Sequence, residues 1–156
     1  SDMSDTLARY VAEVQKLHAE KKAPAIDFAP LVSAVAALSK SSLAFEKAYG
    51  AVPNATAKAL QVQQEALKVV NQLVYSSERR LGTDKGLPRR DWFQHQIYAP
   101  GFYTGYGVKT LPQIREGLEE GHWDEAREGV TKVAAAVTAL TEQVDRATSG
   151  LSRAVR

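Results

Sequence analysis

The chain has 156 residues, 44% hydrophobic and 24% charged, a balance typical of one globular domain of residues 1–156. It contains no cysteine, which excludes disulfides, thiolate catalysis and cysteine-ligated zinc. Its 20 basic and 18 acidic residues are mostly interspersed, so the formal net charge of +2 indicates no strong field for nucleic acid or anionic lipid.

The start of the chain, SDMSDTLARY, is polar and unlike a signal peptide. No stretch of the sequence approaches the ~20 consecutive apolar residues of a membrane span. The Ser-Asp pair before Met3 is consistent with a cloning remnant, and we expect the chain to be a piece of a longer protein. Its residues do not assign a compartment.

Two amphipathic helices are predicted in the first third of the chain. Ser4 or Asp5 can cap the first, over about residues 4–21, and EKKAPA ends it. Asp27 can cap the second, over about residues 27–49. Its apolar stripe comprises Phe28, Leu31, Val32, Val35, Leu38, Phe45 and Tyr49.

A third, longer helix is predicted over about residues 54–81, with Asn54 as its cap and Gly82 at its end. One face carries Leu60, Leu67, Val70 and Val74, and the stripe is widened by Val62, Val69 and Leu73. This breadth predicts burial on more than one side of the helix.

Residues 82–110 show no sustained hydrophobic period and are predicted to form a long irregular loop. Loops of that length inside compact domains usually have a function. Tyr103 and Tyr106 are flanked by glycines that allow close approach of the backbone, so they are candidates for contact with a ligand or partner. Tyr98, beside the rigid Ala-Pro pair, is interpreted as structural.

The last third predicts a short helix at about 111–120 and a long helix at about 122–150. Apolar residues of the long helix recur in steps of three and four, which predicts a seam that packs against other helices. The seam comprises Trp123, Ala126, Val130, Val133, Val137, Leu140, Val144, Ala147 and Leu151. Together the elements predict an all-α fold, an up-down-like four-helix bundle with a long irregular loop before the last helices. We expect the third and final helices to be antiparallel.

No complete catalytic constellation is encoded. His18, His95 and His122 lack the spacing of a zinc site, so no metal ligand is assigned in this chain. No nucleophile elbow or phosphate-binding loop is present in the sequence. The carboxylates of REGLEEGHWDEAREG alternate with arginines and are interpreted as a solvated helix face with local ion pairs.

The stretch LPRRDWFQHQIYAPGFYTGYGVKTLPQIREGL resembles the signature of the C-terminal domain of the glutamate carboxypeptidase II and transferrin receptor family. Members of that family typically show a GLP…F.H.IYAP segment, a loop ending in a tyrosine, and a hydrophobic–Pro–x–Ile step into a helix. The resemblance covers about residues 86–118. The flanking helices agree in order, length and character.

The resemblance implies a dimerisation domain that is separated from its peptidase. Full-length members are similar to co-catalytic zinc peptidases with an inserted protease-associated domain, and their helical C-terminal domain forms the homodimer. The chain itself is then not catalytic and holds no cofactor, and zinc belongs to the missing peptidase domain. The implied partners are a second copy and the peptidase and protease-associated domains of its own parent, which acts outside the cytosol.

The resemblance also implies that the loop contributes to the substrate pocket of the parent. In glutamate carboxypeptidase, a Lys–Tyr pair in this loop contacts the C-terminal glutamate of the substrate. Aligned from IYAP, the tyrosine falls on Tyr106 and the lysine on Gly105. A phenol remains, but a charge-assisted contact is lost. Lys109, four positions along, either substitutes for the lost cation or is simply an exposed loop lysine.

Two other functions remain open from the sequence. The parent can be a catalytically inactive, receptor-like relative in which the same bundle serves dimerisation and partner binding. Alternatively, the chain is a free-standing helical adaptor that binds a partner helix through the seam from Trp123 to Leu151.

Overall fold

The computed structural model describes residues 2–51 and 57–154, without the side chains of 57–63, 65, 66, 153 and 154. The elements, in chain order, are α1 (Asp2–Glu20), α2 (Ala29–Gly50), α3 (Ala57–Tyr75), a 3-10 helix (Ser77–Leu81), β1 (Tyr98–Pro100), β2 (Val108–Thr110), α4 (Pro112–Glu120) and α5 (Trp123–Ala154). The predicted all-α class is confirmed. Within the described ranges, every helix is too short or too polar to be a transmembrane span.

Helix α5 is the central element of the fold. Its 32 residues span about 48 Å, and α2, α3, α4 and the 3-10 helix all pack against it. The predicted seam is largely buried there by the chain's own helices: Val130, Val133, Val137 and Leu140 are at most 3% exposed, whereas Trp123 and Val144 are half-buried. The seam is therefore the core of this domain.

The contacts along α5 define the direction of the other long helices. Val70 of α3 lies against Gly150, whereas Ser76, farther along the chain, is bonded to Gln143. Helix α3 thus runs antiparallel to α5, as predicted. Helix α2 runs parallel to α5, because Ser41 donates to Asp145 while the residues after Ser41 cluster with the last turns of α5.

The ends of the first two helices differ from the predicted caps. Helix α1 already begins at Asp2, so Ser4 lies inside the helix and is buried rather than capping it, and Asp5 is likewise an interior position. Asp27 does act at the start of α2, since its carboxylate accepts the N–H of Ala29 at 2.8 Å. The predicted cap Asn54 lies outside the described residues.

The apolar stripes of α2 and α3 are only partly covered. Val32 and Tyr49 of α2 are 45% and 59% exposed. On α3, Val70 is buried, but Val69 and Val74 are 57% and 48% exposed, so the predicted burial on more than one side is wrong for these residues. The side chains of Leu60 and Val62 lie outside the description. Helical period identifies a shared face, but a neighbour must cover that face to bury it.

The segment predicted to be irregular contains an antiparallel hairpin in which Ala99 pairs with Lys109. The hairpin leads directly into α4. Helix α4 approaches α5 closely at Gly117, where an added Cβ would lie 2.8 Å from the backbone nitrogen of Ala126. This close contact places α4 between the loop and the core.

Candidate functional site

Residues 82–110, here called the aromatic loop, form a compact excursion from the bundle. The N–H of Gln96 donates to Leu81 O at 2.8 Å, and the N–H of Leu111 donates to Ile97 O at 2.7 Å. Among its apolar side chains, Leu87, Ile97 and Ala99 are buried. These contacts fix the base of the loop to the bundle and leave its tip, residues 101–107, projecting.

A buried carboxylate on α4 joins two separate parts of the loop. Nη2 of Arg90 donates to both oxygens of Glu116, at 2.9 and 2.7 Å, and both residues are about 5% exposed. The same carboxylate accepts the N–H of Phe102 at 2.8 Å. Glu116 therefore attaches two parts of the loop to α4: the segment around Arg90 and the start of the tip at Phe102.

The burial of Glu116 corrects the interpretation of this acidic segment as a solvated face. Glu119 and Asp124 do form the expected kind of partly exposed ion pair, with Lys109 and Arg127 respectively. Glu116 differs because α4 is short and packs against both α5 and the loop. Nothing in the local sequence distinguishes Glu116 from Glu119, so only packing identifies it.

The neighbouring Arg89 makes a second attachment, to α5. Its backbone adopts a left-handed φ of 61°, and its side chain reaches a different partner from that of Arg90. The guanidinium donates to both oxygens of Glu125 at 2.7 and 2.9 Å. These hydrogen bonds raise the pKa of Arg89 and lower the pKa of Glu125.

Phe102 lies between these attachments. The guanidinium carbons of Arg89 and Arg90 are 5.5 and 5.8 Å from the centroid of its ring. The ring of Tyr103 packs against it edge to face, with centroids 4.9 Å apart. Cation–π contacts and an aromatic edge thus orient the first residues of the tip.

Tyr98 is held within the chain, in agreement with its interpretation as structural. Its O–H donates to Oε1 of Glu78 at 3.0 Å, which raises the pKa of Tyr98. Its ring lies 4.1 Å from that of His95. Nδ1 of His95 accepts the N–H groups of Ile97 and Tyr98 at 3.3 and 3.4 Å. Burial lowers the pKa of His95, against an opposing effect of Glu78.

The four loop residues proposed for a substrate pocket fall into two groups. Tyr103, Gly105 and Tyr106 lie at the tip, where Tyr103 is 61% exposed and Tyr106 fully so. Gly105 adopts φ +61°, a conformation that would strain a lysine at this position. Lys109 lies on β2 instead, and its Nζ donates to both oxygens of Glu119 at 2.9 Å.

The tip carries no metal site that the described residues could form. Across residues 2–51 and 57–154, no cluster of three or more His, Asp or Glu side chains is arranged to bind a metal ion. His18 is on α1, His95 in the aromatic loop, and His122 precedes α5. The described tip offers exposed aromatic rings and phenols, those of Phe102, Tyr103 and Tyr106.

Comparison with known proteins relates both the bundle and the loop to one family. Residues 26–145 match the model of the transferrin receptor-like dimerisation domain. The chain is 28% identical over 131 residues to a "Probable glutamate carboxypeptidase" of Arthroderma benhamiae, covering 84% of this chain and 17% of that protein. It is 27% identical over 94 residues to "Probable glutamate carboxypeptidase LAMP1" of Arabidopsis thaliana, covering 52% of this chain and 14% of that protein. The chain thus spans less than a fifth of the length of either relative.

Replacing Glu116 with Gln should destabilise the domain strongly, because it leaves the buried charge of Arg90 without its counter-ion. We expect the free energy of unfolding, measured with urea, to fall by about 3–5 kcal/mol. The control Glu119→Gln breaks the partly exposed pair with Lys109 and should cost less than about 1 kcal/mol. Equal losses in the two variants would contradict the assigned role of Glu116.

The histidine in the loop should make stability depend on pH. The unfolded chain binds a proton at His95 with the ordinary pKa of 6.5, and the folded chain does so at a lower pH. The stabilisation is therefore complete above pH 6.5 and is lost as the pH falls below it. Titration of the ring by NMR should give a pKa below 6.5, and His95→Asn should remove this part of the pH dependence. A ring pKa at or above 6.5 would refute the prediction.

Proposed function

Because the chain belongs to the transferrin receptor-like dimerisation domain family, we propose that it assembles the homodimer of a glutamate carboxypeptidase II-like zinc peptidase. The observation that carries the proposal is the extent of the family match, which includes α2, α3, the aromatic loop and α4. Two relatives named as probable glutamate carboxypeptidases support a peptidase as the parent. The chain itself supplies no catalytic group in this proposal, and zinc would be held by the peptidase domain.

The burial of the seam favours this function over a free-standing adaptor. An adaptor that bound a partner helix through the seam would need Val130, Val137 and Leu140 to be accessible. All three are at most 3% exposed, because the chain's own helices cover them. A second copy must therefore use another surface of the bundle.

The aromatic loop has the properties required for a contribution to a neighbouring pocket. Its base is attached to α4 and α5 through Glu116 and Glu125, while Tyr106 projects fully exposed from the tip. An anchored loop with an exposed phenol can present a hydrogen-bond donor to a substrate that another domain binds. We propose that Tyr106 is this donor and that Tyr103 packs beside it.

The same geometry bears on the choice of substrate. Gly105 stands where the resemblance would place a cation, and Lys109 is already paired with Glu119. The proposed pocket thus receives a phenol but no positive charge from the tip. This observation favours, as the second candidate, a receptor-like parent that has lost peptidase activity. The names of the two relatives favour the active peptidase.

The dimerisation proposal predicts the solution mass of the chain. Light scattering after size exclusion, over a series from low micromolar concentration upward, should give a dimer that persists at the lowest concentration. A monomer throughout the series would contradict assembly through this domain alone.

The loop proposal predicts a binding defect when the phenol is removed from the full-length protein. Tyr106→Phe should raise KM for a peptide substrate by about tenfold or more, since a hydrogen bond to a charged group contributes roughly 1.5–3 kcal/mol. Tyr49→Phe, at an exposed tyrosine of α2, is the matched control and should leave KM unchanged. An unchanged KM in Tyr106→Phe for every peptide cleaved would contradict the role of the loop.

A further inference from the structure

An open groove lies between α2 and α3. Among the described residues, both helices pack against α5 but make few contacts with each other. The space between them, here called the α2–α3 groove, has a volume of about 290 Å³. Its walls and floor include Phe45 and Glu46 of α2, Leu73 and Val74 of α3, and Val144 and Ala147 of α5.

The groove is suited to apolar contact. Val74 is 48% exposed, and Phe45, Leu73 and Val144 are half-buried, so covering the groove would remove apolar surface from water. The polar residue on its floor, Gln143, is already bonded within the chain. Its amide donates to Leu73 O at 2.6 Å and to Oγ of Ser76 at 2.9 Å, and its oxygen accepts from Nε of Arg80 at 2.7 Å. Gln143 therefore offers little further hydrogen-bonding capacity to a polar ligand, and the other polar residues that line the groove are Ser42, Glu46 and Ser77.

The groove lies away from the attachment of the aromatic loop to α5. Arg89 of the loop is paired with Glu125, near the start of α5, whereas Val144 is about 28 Å farther along the helix axis. A partner in the groove and a domain at the tip of the loop can therefore be bound at the same time.

We propose that the α2–α3 groove receives a second copy of this chain. The inference rests on the proposed homodimer and names its surface. The match to a dimerisation domain spans α2, α3 and α5 as far as residue 145, which includes the groove residues Gln143 and Val144. Within the part of the chain that the structure describes, three helices surround an apolar groove that no fourth helix covers. This is the arrangement of a four-helix bundle that lacks one member, and a helix from the second copy supplies it.

The edge of the groove provides a complementary surface. Tyr75, at the end of α3, is 92% exposed and adjoins Val74 in the wall. A two-fold dimer uses the same patch on both copies, so each copy must present both a groove and a projection. The groove and Tyr75 meet that requirement, and an exposed tyrosine is a typical anchor in interfaces.

Two valines of nearly equal exposure, one inside the groove and one outside it, allow a matched test of this surface. Val74 is 48% exposed in the groove wall, and Val32 is 45% exposed on α2 beside the cleft with α1. Sedimentation over a concentration series should show that Val74→Glu raises the dissociation constant of the dimer at least tenfold, whereas Val32→Glu leaves it unchanged. Thermal unfolding of both variants checks that the fold is retained. If the unsubstituted chain is dimeric and Val74→Glu does not change its dissociation constant, the groove is not the dimer surface, and the proposed function stands. If the unsubstituted chain is monomeric, both proposals are wrong.

A second measurement does not depend on a charged substitution. The chain has no cysteine, so a nitroxide label can be attached to Ser42→Cys in the groove or to Ser39→Cys on the α1 side of α2. Both serines are half-buried on the same helix. Raising the concentration through the dissociation constant should immobilise the label at position 42 and not at position 39. Immobilisation at position 39 alone, or at neither position while the mass doubles, would place the second copy elsewhere.

Discussion

The aromatic loop depends on the carboxylate of Glu116. This one group neutralises the buried guanidinium of Arg90 and accepts the N–H of Phe102, so it connects the base of the loop with its tip. A buried ion pair contributes little net stability compared with an apolar pair, but it defines one arrangement because the alternatives leave a buried charge unpaired. The start of the tip that carries Tyr106 is therefore attached to α4 through this one carboxylate.

Helix α5 separates the two surfaces to which we assign functions. Its first turns hold α4 and the loop, through Ala126 and Glu125, and its later turns form the floor of the α2–α3 groove. Between them, Val130, Val133, Val137 and Leu140 are buried in the core. Since one rigid helix carries both surfaces, assembly at the groove would fix the position of the loop relative to the second copy. A loop that contributes to a substrate pocket in another domain needs a fixed position, and a rigid connection to the dimer surface would provide it.

Much of the fold could be predicted from hydrophobic period and helix-ending residues. The apolar period of α5 correctly predicted its buried face from Val130 to Leu140, because neighbouring helices cover that face along this length. The stripe of α3 was misleading for the opposite reason. Val70 and Val74 share a face in sequence, yet α5 covers Val70 while Val74 borders an open groove. The hydrophobic period shows which residues share a helix face, but it does not show whether another element covers that face.

By itself, the sequence determined the helical class, the core seam and, through the IYAP segment, the resemblance to one family. These follow from patterns among residues close together in the chain. The tertiary structure decided which charges are buried and which are available. Lys109 is committed to Glu119, and Arg90 is paired with Glu116 across 26 positions, although adjacent acidic and basic residues look alike in the sequence. Such pairs depend on how α4 packs between the loop and α5, and that packing arises only when the whole domain is assembled.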